Sequence, residues 1–172
     1  MKKFLSIIII LPICFYLFIE FIGDRFIKNI LQNNISSSLN REVSIEKLNI
    51  DYLSGEADAK GIKLLNKKFE GYLVNIESVK VNLDAFSIFS NNIIINDVLL
   101  KDISVNYYFD YAEQKIIDNV RSLQDDLTYR TSSSESNKYF NIQNLDVKNI
   151  SLSILSPDFK IDKTFSLKDM SF

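Results

Sequence analysis

Asp125 and Asp126 form an adjacent carboxylate pair, the residue type that general acid–base chemistry or a hard metal ion would draw on. Neither use finds a partner in the chain. There is no His, so the commonest general base and nitrogen ligand is missing. The one Cys, Cys14, sits in an apolar stretch, and a lone thiol builds neither an internal disulfide nor a thiolate metal cluster. Asp125-Asp126 therefore reads as the solvated side of an amphipathic segment. Lys67-Lys68 offers either a contact for anionic head groups or an ordinary solvated loop. Tyr107, Tyr108, Phe109 and Tyr111 form an aromatic cluster that suits a membrane interface, a ligand or cross-strand packing. With no catalytic constellation, the chain reads as a non-enzyme with no cofactor and no metal. A formal net charge of -2 over 172 residues gives no footing for nucleic acid as a partner.

The elements that would position any site carry a clearer signal. Apolar residues recur at offsets 0, 3, 5, 8 and 10 in Ile95, Val98, Leu100, Ile103 and Val105. The same offsets return in Ile142, Leu145, Val147, Ile150 and Leu152, with shorter copies at Ile45, Leu48, Ile50 and at Ile76, Val79, Val81. Each copy is two alternating stretches separated by a polar pair that takes the backbone round a bend or bulge. Alternation puts every second side chain on one face. The spacing predicts strands with one apolar face, formed by Val79, Val81, Leu83, Ile103, Val105, Tyr107, Ile150, Leu152 and Ile154. That face is either an ordinary core or a wall that contacts lipid.

Lys2 and Lys3 precede an apolar run from Phe4 to Ile22, through Ile10 and Phe15. Nineteen residues at 1.5 Å per residue reach roughly 28 Å, close to a hydrocarbon core. No small-x-small cleavage site follows the run, which favours a signal anchor over a cleaved leader. Residues 1–23 are thus expected to be a transmembrane anchor with the N-terminus inside. Residues 24–40 follow as a juxtamembrane helix and 41–172 as a β-rich domain. Within that domain, Ile116, Val120, Leu123 and Leu127 predict an amphipathic helix over 112–130. The Ser-rich stretch 131–138 reads as a polar linker. Phe165 and Leu167 end the chain in a strand-like edge with backbone groups open to pairing.

The order anchor, helix, "LNIDYLSGEADAKGIKLLNKKFEG", "IESVKVNLDAFSIFSNNIIINDVLLKDISVNYYFDY", helix, linker and "FNIQNLDVKNISLSI" resembles the N-terminal part of the AsmA-like proteins of the bacterial envelope. Leu53-Ser54-Gly55, Gly61-Ile62, Asn66 and Val105-Asn106-Tyr107 carry the resemblance. Lys67 stands where family members often have Pro, and Lys68-Phe69 where they often have Gly-Phe. The late-embryogenesis-abundant type 2 domain shares the strand–Asn–strand grammar. The resemblance implies a mainly β fold, a curved and largely antiparallel open sheet shaped as a groove, with minor α structure. It implies a single-pass inner-membrane protein with its domain in the periplasm, acting in outer-membrane biogenesis by lipid binding or lipid transport. The expected partners are the inner membrane and phospholipid. The alternative is an envelope scaffold with a closed core that binds another envelope protein through its C-terminal strand edge. About eight strands at ~4.8 Å spacing reach only ~40 Å, far too short to bridge two membranes alone.

Overall fold

The structure, a computed structural model, describes residues 23–67, 69–84, 87, 90–112, 115–121, 123, 139–156 and 160–171. Helix α1 spans Asp24–Leu39 and stops where Asn40 turns left-handed (φ 50°), its N–H donating to the Ser36 carbonyl. Strands follow as β1 (Val43–Asp51), β2 (Glu56–Leu65), β3 (Tyr72–Leu83), β4 (Asn92–Ala112), β5 (Lys115–Asp118), β6 (Tyr139–Ser156), β7 (Ile161–Leu167) and β8 (Met170–Ser171). They form one sheet in the order β1-β2-β3-β4-β6-β7, with β5 paired to β4 and β8 paired to β6.

One spacing governs the long strands. Val43, Ile45, Leu48 and Ile50 in β1 are separated by steps of two, three and two residues. So are Ala57, Ala59, Ile62 and Leu64 in β2, and Val74, Ile76, Val79 and Val81 in β3. Val98, Leu100, Ile103 and Val105 in β4 repeat it, as do Leu145, Val147, Ile150 and Leu152 in β6. A step of three keeps both residues on one face only if the strand holds an extra residue, as a β-bulge does. The backbone supplies it: Gly61 (φ 61°), Asp102 (φ 54°) and Asn149 (φ 56°) are left-handed at the same point of their repeats. Ladder partners skip that point too, passing from Ile45↔Ile62 to Lys47↔Lys60 and from Ile62↔Ile76 to Lys60↔Ser78. The extra residues line up as a crease across the strands.

Register then joins the repeats into transverse apolar rows. One row runs Val43–Leu64–Val74–Val105–Leu152–Phe165, and the next Ile45–Ile62–Ile76–Ile103–Ile150–Leu167. Beyond the crease come Leu48–Ala59–Val79–Leu100–Val147–Met170 and Ile50–Ala57–Val81–Val98–Leu145.

Three expectations are corrected. The sheet is mixed: six of its seven pairings among the described residues are antiparallel, as expected, but its longest ladder, β4 with β6, is parallel and pairs the two long repeats residue for residue, from Ile95↔Ile142 to Val105↔Leu152. A spacing of 2-3-2 reads the same in both directions, so it fixes which rows meet but not strand polarity. Second, no helix of the described residues is long and apolar enough to cross a membrane, so the described fold carries no N-terminal transmembrane helix. The helix α1 has 16 residues and includes Asp24, Arg25 and Lys28. Phe4, Ile10, Phe15 and Ile22, the expected anchor, lie outside the described residues. Third, 112–130 is not one helix. β4 continues to Ala112, and β5 folds back on it with Phe109↔Asp118 and Tyr111↔Ile116. Helical backbone begins only at Asn119. Ile116 thus belongs to a strand and Val120 to a helical turn, and their helical spacing is a coincidence of two elements. Residues 124–138, with Asp125-Asp126 and the Ser-rich stretch, lie outside the described residues.

Candidate functional site

All nine candidate residues fall on one face. Val79, Val81 and Leu83 lie in β3, Ile103, Val105 and Tyr107 in β4, and Ile150, Leu152 and Ile154 in β6, each meeting an apolar neighbour in register. The main packing of α1 is against β1, and the other principal contacts among the described elements run between sheet neighbours. Burial is uneven across the face, and Val147 on β6 is as buried (7%) as Leu48 in its row. Val43 (2%), Ile45 (6%) and Leu48 (7%) are closed off on β1, whereas Leu152 (37%), Phe165 (57%) and Leu167 (60%) are open toward β7. A sheet face ordinarily buries itself under a second layer. Among the described residues this one has no such layer beyond β1.

The helix α1 sets one border by an unusual device. Ser36 Oγ accepts from the Val43 N–H at 2.9 Å and Gln32 Oε1 from the Ile45 N–H at 3.2 Å. Lys28 Nζ donates to the Glu46 carbonyl at 3.3 Å, and Tyr52 Oη donates to Asp24 Oδ1 at 3.2 Å. Four helical residues rise about 6.0 Å and two strand residues about 6.7 Å, so a stripe of side chains at i and i+4 keeps step with alternate N–H groups, as Ser36 and Gln32 do with Val43 and Ile45, while the long Lys28 side chain reaches the next carbonyl, at Glu46. Side chains of α1 thus stand in for a neighbouring strand and close the β1 edge. Phe26 (63%), Ile30 (41%), Leu31 (40%) and Ile35 (37%), which lie off that stripe, leave apolar surface on the helix.

Among the described residues the opposite border is open. β7 is the last strand of the sheet order, and all seven of its residues are exposed. At one end of the face Tyr107 stacks on Phe109, ring centroids 5.7 Å apart. Burial, then the charge of Asp118, pushes the Tyr107 phenol above its ordinary value against the pull of Arg121, so it stays a neutral donor. Tyr108 points the other way and stacks on Phe69 of the 66–71 loop at 5.6 Å.

The reverse face is polar. Asn96 Nδ2 donates to Asn82 Oδ1 and Asn144 Nδ2 to Asp97 Oδ1. Ser151 Oγ donates to Ser104 Oγ, and Asn149 Nδ2 to Asp102 Oδ1 at the crease. A hollow of about 490 Å³ opens between Asn49, Asp58, Lys80 and Asp97, and of the nine candidates only Val81 borders it. Lys80 and Asp58 approach to 4.0 Å there. Among the described residues no group of three or more His, Cys, Asp or Glu is placed to hold a metal ion.

Sequence reasoning missed Asn119. It is 2% exposed and ties three segments together. Its Nδ2 donates to the Asn106 carbonyl (2.6 Å) and to Asn66 Oδ1 (3.2 Å), and its Oδ1 accepts from the Tyr108 N–H (3.1 Å). Asn106 Nδ2 donates in turn to the Tyr72 carbonyl. The available signal was an Asn among apolar residues where a β-hairpin ends, but nothing local names its partners. Neither a scan against protein-family models nor a search of the curated proteins finds a match for this chain.

Proposed function

We propose that this chain is a lipid-handling protein of the bacterial envelope, acting without catalysis at the periplasmic side of the inner membrane in outer-membrane biogenesis. The observation that carries the reading is the set of apolar rows that cross the sheet in register, without a covering layer among the described residues beyond β1. Apolar surface removed from water is worth roughly 25 cal/mol per Å², so a face of this kind takes up any apolar cover that reaches it. Acyl chains of phospholipid supply such a cover. They need no specific polar contacts, which agrees with rows that are apolar except at the Tyr107–Ile154–Lys163 end. The resemblance to AsmA-like proteins points the same way.

Photo-crosslinking in intact cells tests it, with the probe at Val81, Val105 and Leu152 in turn and at Lys80 as the control on the polar face. Lipid adducts at the three apolar positions and not at Lys80 are expected. Adducts with other residues of the same chain, and no lipid at any of the three, would replace the lipid surface with a closed core.

A second reading has its own observation. The side of β7 that is exposed and unpaired among the described residues fits an envelope scaffold that binds a protein partner by strand addition.

A further inference from the structure

We infer that the β7–β8 edge pairs with the same edge of a second copy of this chain, antiparallel and about a two-fold axis. The inference rests on the strand-addition reading and names its partner. β7 and β8 both pair with β6, through Ile150↔Leu167 and Val147↔Met170, so they form one interrupted edge strand. The interruption is Lys168-Asp169, a polar pair at the crease like Lys101-Asp102 and Lys148-Asn149. Leu167 and Met170 flank it at the step of three.

Three features choose a second copy. The 2-3-2 spacing reads the same in both directions, so this edge is complementary to itself when inverted. Centring the inversion between Lys168 and Asp169 sets Leu167 opposite Met170 of the second copy and Ser166 opposite its Ser171. It also sets Lys168 opposite the second copy's Asp169, twice by symmetry, which is the favourable cross-strand arrangement of charge. Next, α1 occupies the β1 edge at Val43, Ile45 and Glu46 through Ser36, Gln32 and Lys28, so that stretch of β1 is taken and β7 of another copy cannot pair along its full length. Head-to-tail growth meets that helix, which favours the isologous pairing. Finally, Lys163 pairs with Ile154 in the row that carries Tyr107. An inward charge of this kind wards off indiscriminate strand partners. It lies outside the self-complementary stretch. A two-fold axis perpendicular to the sheet keeps both apolar faces on the same side, so pairing doubles the width of the face and leaves a helix-closed edge at each end.

Two tagged copies are expressed together, one Ser166→Cys and the other Ser171→Cys, both with Cys14→Ser, and the cells are mildly oxidised. Directly opposed residues lie within disulfide reach. A disulfide between the two tags, absent when either variant is expressed alone, is expected. An adduct with a different protein would overturn the second copy while keeping strand addition, and no adduct of any kind would sink both. Sedimentation of the purified full chain in detergent gives an independent arm. Lys168→Glu sets like charges opposite each other twice and should weaken the dimer roughly tenfold, and adding Asp169→Lys should restore it. A monomer at every concentration, or a dimer indifferent to both changes, would overturn the pairing whatever becomes of lipid binding.

Discussion

At the residue scale, the decisive side chains are short polar ones that satisfy the backbone. Asp51 shapes the β1–β2 turn, its Oδ1 accepting from the Leu53 N–H (2.9 Å) and the Ser54 N–H (3.1 Å). The Ser54 N–H, then the Leu53 N–H, hold its carboxyl below the ordinary value. A carboxylate lowered in the folded state adds stability above its unfolded pKa, and loses it as pH falls through the lowered value. Amide resonances of Leu53 and Ser54 should therefore move with a midpoint below the usual carboxylate range, and Asp51→Asn should flatten that titration. Asn119 is the interior counterpart. Asn119→Ala strands the Asn106 carbonyl and the Tyr108 N–H, and should cost about 2–4 kcal/mol by urea unfolding. Neither role was equally legible. Asp51 acts within three residues, so its turn can be read from Asp51 to Gly55 directly. Asn119 joins Asn66, Asn106 and Tyr108, and distances that long in sequence leave no local trace.

At the element scale, position along the strand was legible and polarity was not. The polar pairs Lys101-Asp102 and Lys148-Asn149 marked the bends, and Gly61 marked the bulge in β2. The parallel union of β4 and β6 was hidden because a symmetrical spacing serves either direction. The closed edge was hidden for another reason: Lys28, Gln32 and Ser36 look like an ordinary solvated stripe unless β1 is already beside them. Gly61 is a demanding position, since at φ 61° an added Cβ would stand 2.8 Å from the Glu46 Cβ. Gly61→Ala should lower stability by about 2 kcal/mol or more, and chemical denaturation checks it. Replacing Gln32 and Ser36 together by Ala should release the Val43 and Ile45 amides. Their hydrogen exchange should quicken, stability should fall by about 1–3 kcal/mol, and light scattering should rise as the β1 edge opens.

At the scale of the whole molecule, stability and the proposed function separate along the sheet. Leu73 is 2% exposed, so Leu73→Ala should cost about 2–5 kcal/mol. Leu152 is 37% exposed, so Leu152→Ser should cost under about 1 kcal/mol while reducing lipid adducts at Val105 beside it. Thermal unfolding and crosslinking yield measured together would show the two effects apart. The apolar face itself was legible because the long strands repeat it; the lack of a second layer among the described residues beyond β1 was not, since a core and an open face share one pattern. The closed edge also sets a limit on outline. Helix and strand fall out of step by about 0.7 Å at each contact, as two rulers of unequal gradation do. A straight helix can therefore track only a short strand. β1 has 9 residues where β4 has 21, and the sheet narrows to a rim that its helix is able to gauge.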